Sequence, residues 1–192
     1  MVGALCMPLV LGFASADVLG AIISVAGIGM LCGSLIMSAW GGPRNQVAGV
    51  LQFELTSGVC FMLIGLRPSA WLVGLGALGA HLTIAIIAGC NQAIWQRKVA
   101  PELQGRVFAT RQMIARSAAP LAYAIAGPLA DRVFEPLVNS STALSQVVGT
   151  GAGRGIGLLF IAMGTLKVLI SLAAYLTPRI RRIEQELPDA TA

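Results

Sequence analysis

Long apolar runs, interrupted at short intervals by a few charged or turn-forming residues, set the pattern of this chain. Val18 to Trp40, Val47 to Leu66, Ala70 to Trp95, Phe108 to Ala130 and Ile156 to Leu176 are each about as long as a bilayer-crossing helix. Such a helix needs roughly 20 residues at 1.5 Å rise per residue. Val2 to Ser15 is apolar for only 14 residues before Asp17 and reads as a helix short of its beginning. The breaks carry stop signals: GGPRNQ from Gly41 to Gln46, the Arg67-Pro68 pair, a basic hinge from Arg97 to Arg106, and Pro178. Proline cannot continue a helix, and arginine reaches the interface along its own stem. Pro120 inside the fifth full run predicts a kink, tolerated where neighbours satisfy the freed carbonyl. The pattern therefore predicts an all-α, polytopic helix bundle over residues 1–178, with five full spans plus one truncated N-terminal span, and a solvated cytoplasmic tail over 179–192. Asp131 to Arg154, with Ser140, Ser141, Thr142 and glycines 149, 151 and 153, has turn chemistry and no strong helical period. It is expected as the one long loop.

Composition strengthens the membrane reading. Hydrophobic residues make up 56% and charged residues 11%, with mean hydropathy +0.81, far from the roughly 25% charged residues of soluble domains. A formal charge of +5 raises the question of nucleic acid, but the basic residues are spread over short connectors, where they set orientation instead. One set of connectors holds Arg44, Arg97, Lys98, Arg106, Arg179, Arg181 and Arg182; the alternate set holds Arg67, Arg132 and Arg154. By the positive-inside tendency the richer set faces the cytoplasm. This predicts a multi-pass protein of the inner (plasma) membrane with a cytoplasmic C-terminus and no nucleic-acid partner. Cys6, Cys32, Cys60 and Cys90 lie inside apolar runs with no metal-ligand spacing, as small buried hydrophobes do. The apolar run after Met1 has no basic leader and no clear cleavage site, so it is expected to stay in the mature protein.

The hinge and the helix after it carry a family likeness. QRKVAPELQGRVFATRQ, with Pro101, Glu102, Gly105, Arg106 and Phe108, resembles the loop between the tenth and eleventh helices of major facilitator superfamily transporters in the macrolide-efflux and siderophore-export branch. Gly127 to Asp131, with Arg132, Phe134 and Pro136, resembles the end of their eleventh helix. Gly27, Gly29 and Gly33, leading to Gly41, Gly42, Pro43 and Arg44, resemble their eighth helix and its following loop. The likeness runs from late in the seventh helix through the twelfth, the C-terminal half of a twelve-helix fold. It implies transport, with substrate held between two halves near the midplane and alternating access by rocking one half on the other. GGPRNQ has a single Arg44 and no acid where that family's loop has an acid and two basic residues.

Four ionisable residues fall within spans: Glu54, His81, Arg116 and Lys167. A charge at mid-membrane costs at least about 2.5–3.5 kcal/mol unless paired or hydrated, so each is a candidate for the substrate or proton pathway. Counting along the helices puts Glu54, Arg116 and Lys167 at similar depth, about 10–15 Å from the cytoplasmic ends. Glu54 and Lys167 are therefore a candidate structural pair. An imidazole changes charge near neutral pH, which makes His81 a candidate proton carrier. The resemblance puts His81 and Arg116 on cavity-lining helices and Glu54 and Lys167 on peripheral ones. Asn91, Gln92 and Tyr123 are polar groups placed to meet a substrate or to bond between helices. Gly74, Gly76 and Gly79 spell GxGxxG but follow no strand, so helix packing, not dinucleotide binding, is expected. With one histidine, no grouped nucleophile and base, and no metal cluster, neither an enzyme, a cofactor nor a metal is expected.

These readings point to part of a proton-coupled secondary efflux transporter for small amphipathic compounds, incomplete alone. The expected partners are the lipid bilayer, a small-molecule substrate, and a matching N-terminal half or further copies of the chain. The alternative is a non-transporting truncated fragment, or an accessory membrane module that pairs with another half.

Overall fold

The apolar runs fold as helices, because a backbone in lipid must bond to itself. The computed structural model describes residues 2–149, 151, 153–186 and 190, excepting the side chains of residues 2–4, 143, 181–183 and 185. The described residues form α1 (Val2–Leu11), α2 (Ala16–Trp40), α3 (Gln46–Leu66), α4 (Ala70–Lys98) and α5 (Pro101–Leu129), then a π-helical turn at Ala130–Phe134. After it come α6 (Glu135–Ser140), α7 (Thr142–Val148), α8 (Arg154–Leu176) and α9 (Pro178–Glu186). Among the described residues α2, α3, α4 and α8 are long and apolar enough to cross a membrane. α5 has the length, at 29 residues, but its three arginines and two internal prolines leave it less apolar.

Local chemistry sets the element ends. Gly41, at φ +74°, closes α2 with its N–H bonded to the Met37 carbonyl at 2.9 Å, a left-handed cap that suits glycine. Asn45 caps α3, its Oδ1 accepting from the Ala48 N–H at 2.9 Å. Pro101 starts α5, where a missing N–H costs nothing.

α2, α4, α3 and α8 lie side by side in that order as a four-helix slab. Glycines draw the seams tight. Gly29 and Gly33 of α2 face the carbonyls of Leu78 and Leu82 on α4. Gly65 of α3 faces the carbonyl of Gly157 on α8. A Cβ at any of the three would overlap backbone, so this close approach needs glycine. The main core gathers at one end of the slab, where Val10 of α1, Ile22 of α2, Ile64 of α3 and Phe160 of α8 are buried with Ala126 and Ala130 at the end of α5. From that anchored end α5 runs away from the slab, and Ala126 is its single buried residue among those described.

One expectation is corrected. The Asp131 to Arg154 segment is not a loop but the π turn followed by α6 and α7. Pro128 has no N–H to give the α-helical ladder, and the wider turn follows it. Pro136 then opens α6, and Ser141, read as a turn residue, is the N-cap of α7, accepting from the Leu144 N–H at 3.5 Å. Within the tail, residues 178–186 are helical, since Pro178 both stops α8 and starts α9. Glu184 of α9 ties three elements together. Its Oε1 lies 2.6 Å from Arg97 Nη2, its Oε2 accepts from the Val47 N–H at 3.1 Å, and its carbonyl accepts from Lys98 Nζ at 2.8 Å. The Val47 amide belongs to the first turn of α3, which has no carbonyl of its own to meet, and a carboxylate is well placed there.

Candidate functional site

His81 lies midway along α4, where α1, α2 and α3 converge on it around a pocket of about 460 Å³. Met7, Ile23, Ala26, Phe61, Ile64 and Ile84 supply apolar walls, and His81 is the lining residue with a charge-bearing side chain. His81 Nδ1 lies 2.8 Å from the Ala77 carbonyl one turn earlier. A carbonyl can only accept, so Nδ1 carries a proton; in the neutral ring Nε2 then keeps its lone pair. The pocket thus offers a largely hydrocarbon surface and one nitrogen able to accept a hydrogen bond or a proton. That is the usual make-up of a small-molecule site, mostly apolar with few placed polar groups.

Glu54 of α3 and Lys167 of α8 meet beside this pocket, with Lys167 Nζ 2.7 Å from Glu54 Oε2 and 3.0 Å from the hydroxyl of the fully buried Ser57. The ammonium also lies 5.0 Å from the centroid of the Phe61 ring, whose face is stabilising to a cation. Phe61 stacks at 6.2 Å on Phe160 and lines the His81 pocket, so one aromatic ring separates the ion pair from the pocket wall.

The remaining candidates lie apart. Arg116 is exposed on α5, and with the Gln112 amide turned to present oxygen, its Nε and Nη2 donate to that oxygen at 3.1 and 3.0 Å. Tyr123 is half exposed on the same helix. Asn91 and Gln92, toward the end of α4, form no side-chain hydrogen bond among the described residues. Of the family-like residues, Pro101 and Glu102 form the first turn of α5, Gly105 and Arg106 follow, Gly127 is near its end, and Asp131 and Arg132 belong to the π turn. Gln104 fastens the elbow before α5, its amide donating to the carbonyls of Gln96 and Val99 at 3.2 and 3.1 Å.

Sequence reasoning missed three groups. Arg154, counted among the exposed basic residues of a loop, is 2% exposed, donates to the Val148 carbonyl at 3.1 Å and sits 5.4 Å from the centre of the Phe13 ring. Next to it Glu135 accepts from the Gly155 N–H at 2.5 Å, capping α8 from another element. No local signal marks either residue, because the Phe13 ring over Arg154 and the Gly155 amide that meets Glu135 come from other elements. Glu184 did have a signal, since RIRRIEQE from Arg179 to Glu186 places its charges with a helical period.

The slab, its apolar helices and the single-histidine pocket define an α-helical, multi-pass membrane protein. Comparison with known proteins narrows the class. The chain is similar to Macrolide efflux protein A of Streptococcus pyogenes, 23% identical over 160 residues that cover 81% of this chain and 34% of that protein. It is also similar to the Multidrug efflux pump Tap of Mycolicibacterium fortuitum, 24% identical over 166 residues, 86% of this chain and 36% of the pump. The chain spans about a third of the length of these curated relatives. No family model matches, and no solved structure matches. Both of these distant relatives are efflux proteins.

Proposed function

We propose that the chain forms the C-terminal bundle of a proton-coupled efflux transporter of major facilitator type, moving small amphipathic compounds in the drug, macrolide or siderophore class. The observation that carries the reading is the apolar pocket with one imidazole, set in membrane helices and adjoined by a lysine–glutamate pair. A hydrophobic solute with a hydroxyl or amine donor is held while Nε2 is unprotonated. Proton uptake converts Nε2 from acceptor to donor and adds a positive charge, which removes that bond and expels a cationic solute. Glu54 supplies a second protonatable group, whose neutralisation frees Lys167 and alters the packing behind Phe61. In this topology the α4–α5 elbow and the tail face the cytoplasm and α6–α7 face outward.

The transporter reading is tested in vesicles with an imposed pH gradient, by following flux of a fluorescent amphipathic dye. Gradient-driven flux from the chain together with a matching N-terminal half, lost in His81→Ala and retained in Arg111→Lys, is the expected result. Flux that is indifferent to the gradient and to His81 overturns proton coupling at this site. A second reading, an accessory module that does not transport but pairs with another half, is favoured by the extent to which α5 stands exposed. Stable association with such a half without any flux selects it.

A further inference from the structure

A cleft of about 740 Å³ opens at the α4–α5 elbow, away from the His81 pocket, and has no part in the steps above. Its walls are the apolar side chains of Leu103, Val107 and Ile114, and Arg106 and Arg111 also line it. The Arg111 guanidinium carbon lies 5.3 Å from the centroid of the Trp95 ring, which also lines the cleft. Among the described residues neither arginine has a carboxylate partner, although Glu102 stands one turn before Arg106 on the same helix. Two cations elsewhere are matched by carboxylates, Arg97 by Glu184 and Lys167 by Glu54. Trp95 comes just before Arg97 and Lys98, where α4 passes from apolar residues to charged ones, so the cleft lies at the level of the membrane–water boundary.

An apolar groove flanked by two arginines without a carboxylate partner among the described residues, with an indole at that boundary, is complementary to a molecule with an anionic head and a hydrocarbon tail. We propose that the elbow cleft is a binding site for an anionic phospholipid, with the phosphate on Arg106 and Arg111 and an acyl chain along Leu103, Val107 and Ile114. Arginine suits this role because its planar fork bonds two phosphate oxygens at once. Basic pockets between membrane helices favour anionic head groups by the same electrostatics. The proposal uses the membrane location and not the transport reading.

The test is tryptophan quenching by brominated lipids in nanodiscs holding the full chain. Trp40→Phe and Trp71→Phe leave Trp95 as the sole indole; both replaced side chains are exposed. The expected result is that brominated phosphatidylglycerol quenches Trp95 at a mole fraction roughly tenfold lower than brominated phosphatidylcholine, as two interfacial cations supply. That preference should vanish in Arg106→Gln/Arg111→Gln and persist in Arg106→Lys/Arg111→Lys. Equal quenching by the two lipids, as when a protein segment fills the cleft, overturns the proposal, as does a preference that survives the glutamine pair. Loss of the preference on adding soluble glycerol phosphate also overturns it, by making the cleft an anion site with no use for acyl chains. Dye flux plays no part in this readout, so its failure and that of the transport reading are separable.

Discussion

The four-helix slab and α5 are built from similar lengths of chain, yet they solve different problems. In the slab, α2, α4, α3 and α8 meet through glycines at backbone contact, and Glu54 and Lys167 inside it are paired. In α5, Gly105 and Gly127 have open space around them, the arginines have no carboxylate partner among the described residues, and the helix is held at its far end by Ala126 and Ala130. Lipid tails are as apolar as leucine, so helices associate in a membrane through close packing and polar bonds and not through burial from water. Where those contacts exist the helices form a plank. Where they are absent the helix stands clear of the plank, tied at its start by Gln104 to the end of α4 and packed only at its far end.

The largest expected effect comes from filling a seam. Gly65→Leu forces a side chain against the Gly157 carbonyl and should cost about 3 kcal/mol or more, read as a fall in the detergent melting temperature or loss of the folded form. Gly127→Ala in α5 meets nothing and should be neutral or stabilising by about 0.5–1 kcal/mol through helix propensity alone. Equal penalties at the two sites would break the contrast.

The ion pair sharpens it further. Lys167→Met leaves Glu54 charged without its partner and should cost about 1–3 kcal/mol, reduced from the fully buried case because both side chains are 30% exposed. Adding Glu54→Gln should recover most of that loss; a double variant as unstable as the single would show that the pair is not the source. Glu184→Gln removes one charge-assisted contact holding the start of α3 to the end of α4, worth about 1 kcal/mol. The Val47 amide should then exchange with solvent several-fold faster while amides in the middle of α3 stay protected. The smallest effect is at the elbow, where Arg111→Gln removes a cation–π contact of about 0.5–1 kcal/mol and should change Trp95 fluorescence with little change in melting.

Much of this could be read from residue order. The helical runs from Ala16 to Lys98 fall within a few residues of their expected bounds, because hydropathy and the stop signals at Gly41, Arg67-Pro68 and Lys98 act locally. The 131–154 segment could not be read the same way. Its caps are single residues such as Ser141, and the glutamate that completes the start of α8 is 20 positions away from the amide it accepts from. Of the candidate site, the presence of four ionisable residues in apolar runs was evident. Which of them meet was not, since counting depth along a helix gives no angle around it. Arg116 shares the expected depth of Lys167 and yet turns to Gln112 on its own helix.

Residue order by itself determined that this is an all-α protein of the membrane, because the cost of an unbonded backbone in lipid leaves a long apolar run no other form. It also determined where the helices between Ala16 and Lys98 stop, through prolines, glycines and charges acting on their neighbours. Only the tertiary structure decided that His81 closes a pocket, that Glu184 ties α9 to α3 and α4, that Arg154 is buried, and that Arg106 and Arg111 are left without an acidic partner. Those outcomes depend on how helices are rotated and how closely they approach, and that depends on packing between residues far apart in the chain.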